Sequence, residues 1–288
     1  MLRRVLAALA LLAPSALMAQ ADKDAIVITG VVDGVGGGGG FQVQGKHTWT
    51  SSVHLVAWRE SGPQGDGPMR TEQLRIEIPD QRQDQLEKWG AVFPARGLVR
   101  FAIRAPVREV NGRAFAELRS PLPRAEDAEL LAAADAILNP PPITDPEFGT
   151  FISDTTFPQW FKQKRDWQGR EVNVTLSLDY AGPPGPDAPK QALATMRGVW
   201  EKREEWDARM REAIAADYYQ IWLDNWRDEN EPLIDREAFK ARFVLDDLSF
   251  SPDGSFSIIY GDDDLFWGHG MSVSYDPQSD ALHAELFG

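Results

Sequence analysis

The sequence predicts an α+β protein in two parts. The first is a small N-terminal β-barrel, OB-like in the order of its elements; the second is a C-terminal antiparallel sheet carrying one long helix. Three observations carry this expectation. Short stretches of period-two alternation fill the chain up to residue 124. Beyond it, apolar residues recur at three- and four-residue steps over one long run, and alternation then returns. Charge divides at the same place: residues 22–124 hold 14 basic and 12 acidic side chains, whereas residues 125–288 hold 14 and 32. An asymmetry of that size marks separate units.

Residues 1–21 read as a signal peptide. Arg3 and Arg4 begin it, Val5–Ala13 is apolar, Pro14 and Ser15 break the run, and Ala19-Gln20-Ala21 supplies the small residues that a signal peptidase reads. The apolar run falls short of the roughly 20 residues that a membrane span needs. The expected location is therefore the bacterial periplasm or the outside of the cell, with no transmembrane segment after cleavage. With no cysteine in the chain, disulfides, thiolate metal sites and thiol nucleophiles are excluded.

Residues 22–124 form the expected barrel. Ala25–Val32 is rich in β-branched residues, and the glycine run Gly36–Gly40 ends it as a mobile loop. Phe41–Val43 and Val53–Trp58 resume strand character. Leu74, Ile76 and Ile78 share one face of the next strand. A short helix is expected over Asp84–Trp89. Val99, Phe101 and Ile103 then point inward, and Asn111-Gly112 is a two-residue hairpin turn leading into Ala114–Leu118. Three strands, a helix and two strands is the order of a five-stranded OB barrel.

Residues 125–143 read as a helix, Glu126–Leu138, which Asn139-Pro140-Pro141-Pro142 stops, and a proline-rich linker. The acidic α+β domain, residues 144–288, opens with aromatic strands over Phe148–Phe161 and an alternating strand over Arg170–Leu178. One continuous amphipathic helix is expected over Lys190–Arg227, with Leu193, Met196, Val199, Met210, Ile214 and Trp222 on its buried face. Asp235 caps a second, short helix that buries Phe239 and Phe243. A β-meander closes the chain, with turns at Asp253-Gly254 and Asp276–Asp280.

Polar residues able to do chemistry concentrate in this meander. Asp262, Asp263 and Asp264 are consecutive, and a solvated turn explains them better than a cation loop, because the spaced acids and central glycine of an EF-hand are missing. His269 follows. If Leu265–Tyr275 is one strand, His269 shares a buried face with Trp267, Met271 and Val273. A bulge at Gly268 would instead let His269 converge with Asp264 as an acid–base pair. His283 and Glu285 face outward on the last strand; His47 and His54 lack partners at metal spacing. Trp49 and Trp58 are candidate stacking residues on the barrel. There is no serine elbow, phosphate loop or dinucleotide fingerprint, so no cofactor and no metal is expected.

The run Asp263-Asp264-Leu265-Phe266-Trp267-Gly268-His269-Gly270-Met271-Ser272-Val273 resembles the ending of a bacterial family of domains of unknown function. Asp145-Pro146-Glu147-Phe148-Gly149-Thr150-Phe151 and Trp160-Phe161 resemble its opening. The resemblance spans residues 144–288. It implies an α+β domain with the long helix inserted between strand groups, and no reaction or ligand.

The resulting expectation is an extracytoplasmic, non-catalytic binding protein that recognises a protein or glycan partner. Two alternatives stand beside it. One is a periplasmic hydrolase using His269 with Asp262 or Asp264, cation-assisted or not. The other is an immunity or inhibitor protein with an acidic binding face. The formal charge of −14 argues against nucleic acid.

Overall fold

The computed structural model describes residues 26–42, 47–62, 65–110, 113–123, 126–178, 185–228, 230 and 232–288. The expected signal peptide and the Asn111-Gly112 turn lie outside these residues. The chain is mixed α+β and divides into two compact units, Met1–Asp135 and Ala136–Gly288.

The first unit is built on strands β1 (Val27–Val32), β2 (Gly40–Gln42), β3 (Trp49–Gly62), β4 (Gly65–Asp66), β5 (Leu74–Gln81), β6 (Leu98–Ile103), β7 (Arg108–Val110) and β8 (Arg113–Pro121), with helix α1 at Lys88–Val92. The pairing path runs β1-β6-β8-β5-β3, and β3 pairs again with β1, so the ladder returns to its start. β5 and β8 are parallel, with Leu74 opposite Ala114; the other pairs on this path are antiparallel. Leu74, Ile76, Ile78, Val99, Phe101 and Ile103 all reach the core, as alternation predicts. β7 pairs antiparallel with β8, Val110 opposite Arg113.

Two expectations for this unit are corrected. The helix expected over Asp84–Trp89 is a 3-10 turn at Gln83–Gln85, and α1 follows it. The glycine run is packed rather than loose at its start: Gly37 donates its amide to Phe93 O at 2.8 Å. A Cβ on Gly37 would lie 2.6 Å from the Trp89 carbonyl oxygen, so only glycine lets the two backbones meet.

Helix α2 (Ala128–Leu138) spans the boundary between the units. The second unit then continues with β9 (Ile143–Asp145), β10 (Gly149–Ser153), β11 (Trp160–Trp167), β12 (Arg170–Ser177), α3 (Ala188–Glu201), α4 (Arg203–Ile221), a π-helical turn at Trp222–Trp226, α5 (Arg236–Ala241), β13 (Val244–Phe250), β14 (Phe256–Gly261), β15 (Gly270–Asp276) and β16 (Ala281–Phe287). Its eight strands lie side by side in chain order, β9 through β16. The expected antiparallel sheet contains one parallel pair, β12 with β13. The helices between those two strands carry the chain back across the sheet, which a parallel neighbour requires.

The helices cover one face: α3 packs on β12 and β13, α4 on β15 and β16. Val172, Val174, Leu176, Leu248, Ile258 and Val273 point into this layer with Leu193, Met196, Met210 and Ile214. Fully burying each such side chain contributes about 1.5–3 kcal/mol. The expected single helix is broken at Lys202, where φ is −114° and ψ 26°. Trp200 packs edge-on against Trp167, whereas Trp206 packs edge-on against Phe256 and Tyr275. On an unbroken helix these two indoles would point about 120° apart, so the break lets both face the sheet. Asp235 caps α5 by accepting the Ala238 amide at 2.8 Å, and Phe239 and Phe243 are buried below it, as expected.

Candidate functional site

β14 stops at Gly261 and β15 starts at Gly270, and these two glycines pair with each other. Residues 262–269 between them form a compact turn rather than the strand expected over Leu265–Tyr275. The alternation argument for His269 therefore does not hold. Leu265 and Phe266 are adjacent and both buried, which a strand with one covered face cannot achieve, while Trp267 is 68% exposed. Asp263, Asp264, Trp267 and Gly268 all adopt left-handed backbone, with φ of 46°, 67°, 57° and 85°. Asp and Gly tolerate this region, but for an indole-bearing residue it costs about 1–2 kcal/mol.

Asp262 organises the turn. Its carboxylate is buried and accepts the Asp264 amide at 3.2 Å and the Phe266 amide at 2.6 Å, and its carbonyl accepts the Leu265 amide at 3.0 Å. Asp263 is held by Arg242, through both carboxylate and carbonyl. Asp264 is exposed. The triple aspartate thus divides into a buried cap, an ion pair and a solvated acid.

His269 ends the turn half-buried. Its Nδ1 lies 2.6 Å from the Phe266 carbonyl oxygen, which has no proton to give, so Nδ1 is the donor and a neutral ring leaves Nε2 as an acceptor. The ring meets Trp226 edge-on, 5.3 Å between centroids. Among the described residues, no hydrogen bond or ion pair joins His269 to Asp262 or Asp264.

Trp226, the last residue of the π-helical turn, is the hub. It contacts Phe266 at 5.5 Å and Trp267 at 4.8 Å, both edge-on. The result is a tryptophan pair with one member largely open to solvent, a histidine at its side and an exposed carboxylate on the same turn. π-helical turns and left-handed non-glycine residues both concentrate at functional positions. Sequence reasoning missed Trp226; its only signal was an indole one turn after Trp222, at the end of a helix.

The other candidates are dispersed. Trp58 is fully buried, donates Nε1–H to the Glu72 carbonyl at 2.8 Å, and carries Arg70 over its ring. Trp49 is half-buried nine positions earlier on β3, and with Trp58 fully buried the two rings form no exposed stacking platform. His54 lies 3.5 Å from Asp33; His47 is exposed. His283 and Glu285 are exposed on the outward face of β16, as alternation predicts. Among the described residues, no group of three or more His, Asp or Glu side chains is placed to hold a metal ion.

Each of the two motifs behind the family resemblance has an aspartate cap, Asp145 at the start of the first and Asp262 just before the second. Asp145 accepts the Glu147 and Phe148 amides at 2.9 and 3.0 Å, as Asp262 accepts those of Asp264 and Phe266. Each turn buries a phenylalanine, Phe148 or Phe266, beneath its aspartate cap. Gly149 leaves the first turn at φ 80°.

Fold and turns together define a two-unit α+β protein. Residues 145–286 match a family described as "Uncharacterized protein conserved in bacteria (DUF2262)", and residues 15–136 match a "Domain of unknown function (DUF7021)". The second of these matches falls on the first unit, which the resemblance left uncovered. No curated protein and no solved structure matches.

Proposed function

We propose that the protein is an extracytoplasmic, non-catalytic binding protein, and that the Trp226–Trp267 pair with His269 is its contact surface for a protein or glycan partner. The single observation that carries this reading is Trp267: 68% exposed, in left-handed backbone, and braced by Trp226. A turn shaped only for stability would bury that indole, as it buries Leu265 and Phe266. Exposed indoles on rigid supports are the residues that dominate recognition surfaces.

The export reading rests on the sequence of residues 1–21, and among the described residues no helix is long and apolar enough to cross a membrane. An OB-type barrel is the finer description that the returning strand path of the first unit supports, with α1 between β5 and β6. The hydrolase reading gains no support from the turn, since among the described residues no hydrogen bond or ion pair joins His269 to Asp262 or Asp264.

The test is affinity capture from periplasmic extract, comparing the wild-type protein with Trp267→Ala and Trp226→Ala. A partner held by the wild type and lost from both variants supports the reading. Partners unchanged in both variants remove the surface from consideration.

A further inference from the structure

We propose that the uncovered face of the second unit's sheet binds a neutral oligosaccharide of two or three linked sugar units, in a groove over β11, β12 and β13 that is distinct from the tryptophan turn. The groove has a volume of about 340 Å³ and is open to solvent; Lys162, Lys164, Asn173, Thr175 and Asp247 line it. It sits on the face opposite the helices, because Phe161, Val172, Val174 and Leu248 alternate with these residues and point into the core.

A β-bulge builds the groove floor. The register between β13 and β14 slips between Leu245 and Asp247. Regular alternation would put Asp247 on the core side with Leu245. The extra residue turns Asp247 outward and returns Leu248 to the core. Asp247 is thereby set directly opposite Asn173 on β12, and Asn173 directly opposite Lys164 on β11. One row towards the other end of the sheet, Thr175 lies between Lys162 and Ser249. Among the described residues, the side chains of Asn173, Thr175 and Asp247 make no hydrogen bond or ion pair.

This donor and acceptor set selects a polyol. A sugar hydroxyl both donates and accepts, and neighbouring ring hydroxyls come in pairs. Asn173 offers amide donors beside the Asp247 acceptor, so one hydroxyl of such a pair can accept from the amide while the next donates to the carboxylate. Aromatic surface for the apolar face of a sugar ring lies further along β11. Trp160 shares the Lys162 face, with Lys162 Nζ 5.6 Å from its ring, and Phe157 stacks on it at 4.5 Å and 30°. Trp160 is four positions from Lys164, about 13 Å along a strand. That span suits two or three linked rings rather than one.

Charge decides against an anionic ligand. Lys162 is paired with Asp154 at 2.8 Å and Lys164 with Glu171 at 2.9 Å. With Asp247 added, the groove and its rim have no cationic surplus to offer a phosphate or a uronate.

The experiment is titration calorimetry of the full chain with maltotriose, cellotriose and chitotriose, each beside its monosaccharide. At least one trisaccharide is expected to bind, at least tenfold more tightly than its monomer. Asn173→Ala and Asp247→Ala should each weaken it about tenfold, the loss of one hydrogen-bonding group. Trp160→Ala should abolish the preference for the longer sugar. Trp267→Ala tells the two surfaces apart: sugar binding lost in Asn173→Ala and Asp247→Ala belongs to the groove, and sugar binding lost in Trp267→Ala alone belongs to the tryptophan surface. No heat with any of the three trisaccharides at millimolar concentration overturns the proposal. So does binding that survives both Asn173→Ala and Asp247→Ala, or binding that only Trp267→Ala removes. All four positions lie on the exposed side of their elements, and circular dichroism verifies that each variant is folded.

Discussion

The carboxylate of Asp262 receives the backbone amide of Phe266 at 2.6 Å, and this bond holds the turn that presents Trp267. An acid that stands in the sequence as a catalytic candidate is in the structure a buried cap. Asp262→Ala should therefore destabilise the second unit by roughly 2–3 kcal/mol, because it strands the buried Phe266 amide. Asp264→Asn, at an exposed position where Asn also tolerates left-handed backbone, should change stability by less than about 0.5 kcal/mol. Urea denaturation of the two variants checks the contrast.

Tyr260 is fully buried and donates its hydroxyl to Asp207 at 2.8 Å; Asp207 in turn pairs with Arg211 at 2.8 Å. Burial first, and the Asp207 charge second, push the phenol well above its ordinary value of 10.0. The unfolded chain then gives up this proton before the folded one does. The contribution is fully present below pH 10.0 and is lost as pH rises beyond it. Tyr260→Phe should cost about 1–2 kcal/mol at neutral pH, and its stability should fall less steeply than wild type above pH 10.0. Denaturation midpoints collected across that range decide it.

At the acid end the sign is reversed. Burial alone would raise the Asp145 carboxyl, but the Phe148 and Glu147 amides and the Arg197 guanidinium outweigh it and hold it below 3.8. The stabilisation is present above 3.8 and is lost as pH falls through the lower folded value. Asp145→Asn should be less stable than wild type at neutral pH, and the gap should close as the solution is acidified below about pH 4. Thermal melts over an acid series measure the gap.

The glycine run offers a local test of packing. Gly37→Ala would bring a Cβ within 2.6 Å of the Trp89 carbonyl, whereas a Cβ on Gly39 meets nothing within 4 Å. The first change should cost about 1–3 kcal/mol through overpacking; the second should be close to neutral. Equal effects in guanidinium denaturation would contradict the packing of Gly37 on α1.

By itself, the sequence determined which faces are buried and where short-range polar caps fall. Leu74, Ile76 and Ile78, or Val172, Val174 and Leu176, are inward because period two separates the faces of a strand, whatever the rest of the chain does. Asp235 at its helix start and the turn at Asp253-Gly254 depend on atoms two or three residues away, so they were equally legible. Tertiary structure decided the departures from periodicity. Leu265, Trp267 and His269 imitate a strand by their spacing. Only the Asp262 cap, the Arg242 pair and the facing Trp226 fold them into a turn. The break at Lys202 has neither proline nor glycine to announce it, since distant rings fix it. The bulge that turns Asp247 outward and the parallel pairing of β12 with β13 depend on strands far apart in the chain. The candidate surfaces are made of these departures. Regular alternation orders a core, whereas an indole or a carboxylate is left facing solvent where long-range packing forces the backbone out of its repeat.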